Sequence, residues 1–210
     1  MTIGVLAAMD KEFELLSSLK SSKDKQIIVL KCGIGKVNAA VNTLKLISEY
    51  KPNIILSVGV AGGLNTNMQI MDTIVGTSYA YHDVWCGKPN KKGQVQGLPE
   101  SFVIDSYILN EIKELNIPNL HFGQIVSGDC FVEKKKDYEK ITNEFPLAKA
   151  VDMESTACAQ VCYLNNIPFA ALRIISDIPL KGDSGKQYND FWSDLSKNSF
   201  EVAKKIIFAL

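Results

Sequence analysis

Three carboxylates, the chain's only arginine and a serine–aspartate pair fall in two short stretches, Val151-Asp152-Met153-Glu154-Ser155-Thr156 and Arg173-Ile174-Ile175-Ser176-Asp177. Both stretches involve runs of strand character, which puts Glu154 and Asp177 at the carboxyl ends of two predicted strands. In an open α/β sheet those ends face the crevice that binds ligands, so the two side chains can converge on one small molecule. Paired carboxyl groups in unlike surroundings, one proton-bearing and one ionised, are suited to breaking sugar bonds. Glu12 adds another carboxylate. In Ala8-Met9-Asp10-Lys11-Glu12 it follows the first predicted strand and enters a helix, where an acidic residue also simply complements the helix dipole.

Two glycine-rich segments follow strands. Gly33-Ile34-Gly35-Lys36 opens a helix, but Asn38 stands at the third glycine of a dinucleotide fingerprint and no acidic residue follows at the expected distance. Leu30 likewise occupies the first glycine of a P-loop, so neither nicotinamide nor nucleoside triphosphate is expected. Backbone amides at this turn remain free to hold a hydroxyl or an anion. Gly59-Val60-Ala61-Gly62-Gly63 reads as a tight turn in which missing side chains let a ligand touch the backbone. His82, beside Asp83, reads as a structural hydrogen-bond pair, since nothing completes a serine–histidine–aspartate triad.

These groups need a scaffold, and the pattern supplies one. Strands are predicted at Ile3 to Ala7, Ile27 to Lys31, Ile54 to Val58, Thr73 to Ala80, Phe122 to Ser127, Ala150 to Met153 and Phe169 to Ile175. Helical periods alternate with them: Val37, Ala40, Val41, Leu44 and Ile47 form one core-facing stripe, and Ile108, Leu109, Ile112 and Leu115 another. A helix is predicted from Ser155 to Leu164 and a last one from Asn189 to the C-terminus. The alternation predicts an α/β fold, a three-layer α/β/α sandwich around a mostly parallel or mixed sheet. Trp85 to Pro99, rich in lysine, glycine and proline, reads as a long irregular loop.

Composition narrows the function classes. The 210 residues are 46% hydrophobic, enough for one sizeable core, and no linker divides them, so residues 1–210 are read as one domain. The formal net charge is zero and the lysines are scattered, which excludes a nucleic-acid stripe. No apolar run approaches a membrane span, and the chain opens directly on a strand, so a cytoplasmic protein without membrane contact is expected. Five cysteines without a Cys-x-x-Cys predict reduced, buried thiols. Cys158 and Cys162, four apart on a predicted helix, lack the histidine pair that would complete a zinc site, so no metal is expected.

Together these segments resemble the 5′-methylthioadenosine/S-adenosylhomocysteine nucleosidases of the purine nucleoside phosphorylase superfamily. The resemblance runs nearly end to end: Gly4 to Glu12, Cys32 to Ala40, Gly59 to Leu64, Tyr81-His82-Asp83-Val84, Ser127-Gly128-Asp129-Cys130-Phe131, Val151 to Gln160 and Arg173 to Asp177 recur in the family's order. It implies a cofactor-free N-glycosyl hydrolase that acts on a small nucleoside as a homodimer. By that resemblance Glu12 is the general base for water and Asp177 protonates adenine N7, oriented by Ser176. Glu154 binds the ribose hydroxyls, Met153 lies against the ribose, and Phe131 stacks on the adenine while Val132 offers it backbone hydrogen bonds. Ala61 and Gly62 belong to the substrate-binding strand end, and Arg173 helps hold Glu12 and the water.

The chain departs from the family pattern in three places. Ser17 to Gln26 is short where members insert a further strand pair. Val60 replaces a frequent serine. Trp85 to Lys92 lacks the aromatic loop that lines the 5′ pocket across the dimer, which predicts weaker discrimination at the 5′ position unless Trp85 itself rebuilds the wall. Two rivals stand beside the hydrolase: a phosphorylase of the same fold, which would need cationic side chains beyond Arg173, and a catalytically silent nucleoside-binding protein.

Overall fold

The structure, a computed structural model, describes residues 1–65, 67–194 and 200–210. Its strands are β1 (Thr2–Ala7), β2 (Gln26–Lys31), β3 (Ile54–Gly63), β4 (Thr73–Tyr81), β5 (Phe102–Val103), β6 (Leu120–Ser127), β7 (Ala148–Asp152) and β8 (Phe169–Asp177). Its helices are α1 (Asp10–Leu16), α2 (Lys36–Tyr50), α3 (Ser106–Glu114), α4 (Lys135–Glu144), α5 (Ser155–Leu164), α6 (Ser184–Asp194) and α7 (Glu201–Ala209).

Strand alternation gives β1 a core on each face. In β1, Ile3, Val5 and Ala7 point to one face, where they join Leu16 of α1, Ile108 and Ile112 of α3 and Ile206 and Ile207 of α7. Leu6 points to the other, with Ala39 and Leu46 of α2 and Cys158 and Cys162 of α5. Both faces being covered, the strands read as continuous apolar runs, as expected for sheet layers between helices. Gly4 marks where α2 comes closest: a Cβ there would lie 2.6 Å from Leu46 Cδ2.

The sheet runs in the order β2-β1-β3-β7-β6-β4-β5, and β8 pairs with both β3 and β4. β1, β2, β3 and β8 are mutually parallel through their pairings, and so are β4, β6 and β7 in the opposite sense. The two sets meet antiparallel at β3–β7, through Gly62↔Val151, and at β4–β8. The pairings β3–β8–β4–β6–β7–β3 therefore close a ring, where the sequence pattern had suggested an open sheet. Closure sets the exits of β1, β3, β7 and β8 around one opening.

Four expectations are revised. Gly59 to Gly63 is not a turn: β3 continues through it, with an irregularity between Ala61 and Gly62 against β8. On α2, Val37, Val41 and Leu44 are 73%, 60% and 48% exposed, whereas Ala39, Thr43 and Leu46 are buried. The buried stripe is the one that seats Leu46 against Gly4 and packs on α5. The last predicted helix is two, α6 beginning at Ser184 and α7 at Glu201, and the expected continuity across residues 195–199 lies outside the described residues. Finally, Cys32, Cys158 and Cys162 are buried but Cys86 and Cys130 are exposed.

Candidate active site

The first carboxylate is held by backbone. Glu12 lies in the first turn of α1 and is 2% exposed. Its Oε2 accepts the Ala8 and Met9 N–H groups at 2.8 and 3.0 Å, and its Oε1 accepts the Val60 N–H at 2.9 Å. Burial pushes its carboxyl up from the ordinary range, opposed by the charge of Arg173 and by these three amides. Gly59 makes the arrangement fit, since a Cβ there would come 2.6 Å from Glu12 Oε1. Within the Gly59–Gly63 segment the bare backbone at Gly59 receives Glu12, while Val60, Ala61 and Gly62 face the neighbouring cavity.

A second carboxylate stands where β7 passes into α5. Glu154 is buried and accepts the Gly35 N–H on Oε1 at 2.8 Å, so the free amide foreseen at the second strand's exit holds an anion from the protein itself. Burial, followed by the nearby charge of Asp152, raises its carboxyl to about 7, while the Gly35 amide and Arg173 oppose the rise. Asp152 lies behind it. Its Oδ1 accepts the Ser127 hydroxyl at 2.5 Å, its Oδ2 accepts Arg173 Nε at 2.8 Å, and the Ser155 hydroxyl also donates to it. Arg173 places three further N–H groups on the Ser57 carbonyl and hydroxyl, at 2.9 and 2.8 Å, and on the Leu172 carbonyl. It reaches Glu12 by charge, not by a hydrogen bond. So paired, the buried guanidinium ties β3, β7 and β8 together beneath the site.

The third carboxylate ends β8. Asp177 is 1% exposed, and its Oδ1 accepts the Ser176 hydroxyl at 2.8 Å. Burial raises its carboxyl above the ordinary range. Gly62 passes close by, a Cβ there lying 3.5 Å from Asp177 Oδ2.

These groups open on one cavity of about 360 Å³, within the size range of small-molecule sites. Of the residues singled out in the sequence, Glu12, Ala61, Gly62, Phe131, Met153, Glu154, Ser176 and Asp177 line it. Val132 lines a small adjoining cavity of about 40 Å³ that shares Gly62, Phe131 and Asp177 with the first. Arg173 lines neither. Residues that sequence reasoning did not assign also face the cavity: Met9, Ile34, Asp152, Tyr188 and Asn189. Tyr188 packs edge-on to Phe131, ring centroids 5.6 Å apart, and its hydroxyl points to Met9 Sδ at 3.3 Å. Its one signal was the aromatic spacing of Tyr188, Phe191 and Trp192, hidden because the helix was predicted to start a residue later.

Two further expectations meet the geometry. Among the described residues His82 Nε2 is buried without a hydrogen-bond partner, and Asp83 accepts Lys36 Nζ and the Asp129 N–H instead of forming a His–Asp pair. The loop from Trp85 folds back on its own chain. Trp85 is 55% exposed under Lys92 Nζ, Gly93 donates to the Val84 carbonyl at 3.0 Å, and Trp85 does not line the cavity.

Residues 2–207 match the family model described as the phosphorylase superfamily. A relative from Exiguobacterium sp. (strain ATCC BAA-1283 / AT1b), named 5′-methylthioadenosine/S-adenosylhomocysteine nucleosidase, is 32% identical over 98% of this chain and 97% of its own. The crystal structure of an enzyme of that name from Borrelia burgdorferi B31, bound to adenine, superposes with a TM-score of 0.92 at 34% identity, covering 99% of this chain and 100% of that one. The Neisseria meningitidis enzyme in complex with methylthio-immucillin-A gives 0.89 at 31% identity, covering 100% and 99%. The spacing of its carboxylates, the closed sheet that gathers them and these end-to-end likenesses place the chain in the phosphorylase superfamily, as a member of the 5′-methylthioadenosine/S-adenosylhomocysteine nucleosidase family.

Proposed function

We propose that the protein hydrolyses the N-glycosidic bond of 5′-modified adenosines, 5′-methylthioadenosine and S-adenosylhomocysteine among them, to adenine and the corresponding ribose derivative. The observation that carries this reading is the unlike setting of two buried carboxyl groups on one cavity. Glu12 has three backbone N–H groups and the charge of Arg173 favouring its anion. Asp177 is raised by burial, and only the serine hydroxyls of Ser176 and Ser184 oppose the rise, with no backbone amide or cation of the described residues among the influences on it. The first is suited to be base and the second acid.

Adenine lies between Phe131 and the Gly62–Asp177 wall, with the Val132 backbone beyond. Asp177 gives its proton to N7 as the bond from C1′ to N9 breaks, so the base leaves neutral. Positive charge develops on the ribose, Glu12 takes a proton from water, and the oxygen of that water bonds to C1′. Glu154 accepts from the ribose hydroxyls and Met153 packs against the ring. Arg173 supports this from beneath, by anchoring Asp152 and favouring the Glu12 anion. Water is the only co-reactant that the step requires.

The committed guanidinium favours hydrolysis over phosphorolysis. Arg173 is the chain's only arginine and four of its five N–H groups are already placed on protein oxygens, leaving no fork for phosphate. The 5′ group leaves the ribose toward Met9, Ile34 and Tyr188, and the departure of Trp85 to Lys92 from the family's aromatic loop weakens discrimination among 5′ substituents. Ile34, Val37, Val41 and Leu44 form an exposed apolar strip beside it, which supports a homodimer across α2. Residues 1–210 are read as one cytoplasmic domain: the five free cysteines suit a reducing compartment, and among the described residues no helix is long and apolar enough to cross a membrane. Adenine release from methylthioadenosine by the purified chain tests the activity; saturable nucleoside binding without release would instead favour a silent binding protein.

A further inference from the structure

Glu154 owes its orientation to a turn that has no side-chain cap of its own. Gly35 is the N-cap of α2 at φ 88°, and its N–H meets Glu154 Oε1. The next amide, Lys36 N–H, donates to Asp129 Oδ1 at 2.8 Å. Asp129 is in turn fixed: its own N–H donates to Asp83 Oδ2 at 2.9 Å, the oxygen that also accepts Lys36 Nζ at 2.7 Å, and Lys36 Nζ stands 3.8 Å from Asp129 Oδ2. Asp129 fits against the turn because Gly35 has no side chain, a Cβ there falling 3.0 Å from Asp129 Oδ1. Two residues further along the same loop is Phe131.

We propose that Asp129 is a positioning residue for the ribose subsite: with Lys36 and Asp83 it latches the Gly33–Lys36 turn to the loop carrying Phe131, and thereby fixes the amide that orients Glu154. The inference rests on the reading of Glu154 as the ribose-binding carboxylate. Asp129 touches no substrate in this account. It acts through two adjacent amides, one that it holds and one that Glu154 uses, and so couples the ribose and base ends of the cavity. Removing its side chain frees the turn, weakens the Gly35 bond and lets Glu154 move, a loss felt by ligands in proportion to their use of Glu154. Loosening that bond also removes one influence that favours the ionised form. The charged and titratable groups around Glu154 are Glu12, Cys32, Asp152, Cys158, Arg173 and Tyr188, and the variants below leave all of them in place.

The test is calorimetric binding of a non-hydrolysable carbon-linked analogue of methylthioadenosine to the full chain, across pH. Asp129→Ala should weaken binding roughly tenfold, the worth of a hydrogen bond to a charged group at its low end. Asp129→Asn, which keeps an oxygen for the Lys36 N–H, should recover most of that loss. In Asp129→Ala the weakening of binding with acid should begin at higher pH than in the wild type. In a Glu154→Ala background, Asp129→Ala should cost nothing further. Wild-type affinity in Asp129→Ala overturns the latch, as does an equal loss with and without Glu154, or a pH dependence that does not move. A wild type that binds no nucleoside overturns the ribose reading itself, and a wild type that binds while the losses merely add overturns the latch alone.

Discussion

Gly59→Ala tests how tightly the fold holds the base. The added Cβ would sit 2.6 Å from Glu12 Oε1, 3.0 Å from Cδ and 3.2 Å from Oε2, so the carboxylate must retreat by roughly 0.5–1 Å to reach ordinary van der Waals separation. It cannot retreat freely, because Ala8, Met9 and Val60 amides hold both oxygens and the group is buried. The Val60 bond, on the oxygen nearest the new methyl, is the one to lengthen. A misplacement of about 1 Å in a catalytic group costs on the order of 10² in rate. Turnover should therefore fall about a hundredfold, while KM stays within about threefold because Glu154 and Phe131 are untouched. Overpacking should cost about 1–3 kcal/mol of stability, which a thermal melt reads separately. The pH profile gives a further check. Losing the Val60 N–H removes an influence that favours the Glu12 anion, so its carboxyl rises further and the acid limb of kcat moves to higher pH. Turnover within threefold of wild type, with an unmoved acid limb, would refute the claim that this carboxylate is the positioned base.

Other substitutions probe the remaining parts. Asp177→Asn should lower turnover by roughly 10² to 10⁴ without loss of fold, the usual worth of a general acid, as read by adenine release and a thermal melt. Glu154 is raised to about 7 from 4.5, so the native state holds an extra proton between those values and the stability due to this group is lost as pH rises through about 7; Glu154→Gln should therefore be more stable than wild type at pH 8 by roughly 1–3 kcal/mol, with the gain gone near pH 4, in denaturant titrations at both pH values. Val41→Asp, at a position 60% exposed, should leave the monomer fold intact and abolish the homodimer, which sedimentation analysis reads directly; an unchanged dimer places the interface elsewhere.

The gathering of Glu12, Glu154 and Asp177 on one cavity was more legible in the sequence than the scaffold details. Glu12, Glu154 and Asp177 stand at strand exits, and apolar runs of five to seven residues between turn signals mark such exits well. The pattern was ambiguous where two elements competed for one face. On α2 both Val37-Val41-Leu44 and Ala39-Thr43-Leu46 have helical spacing, and only packing on elements far away in sequence, Gly4 of β1 and helix α5 among them, decides between them. Gly59 to Gly63 looked like a turn because glycine is scarce in strands. There the glycines make room for Glu12 and for the close passage of Asp177 and Val151. Arg173 and Asp152 illustrate the other limit. Their pairing depends on β7 and β8 flanking β3, a non-local topology that no local pattern encodes.

The central claim is that water, activated at Glu12, replaces a base released by Asp177. Turnover of methylthioadenosine by the wild type in phosphate buffer made with heavy-oxygen water, with mass analysis of the sugar, addresses it directly. The account predicts free adenine and a methylthioribose carrying the heavy oxygen at C1′, at a rate that phosphate leaves unchanged. A methylthioribose 1-phosphate without the label, accumulating with phosphate concentration, would contradict it.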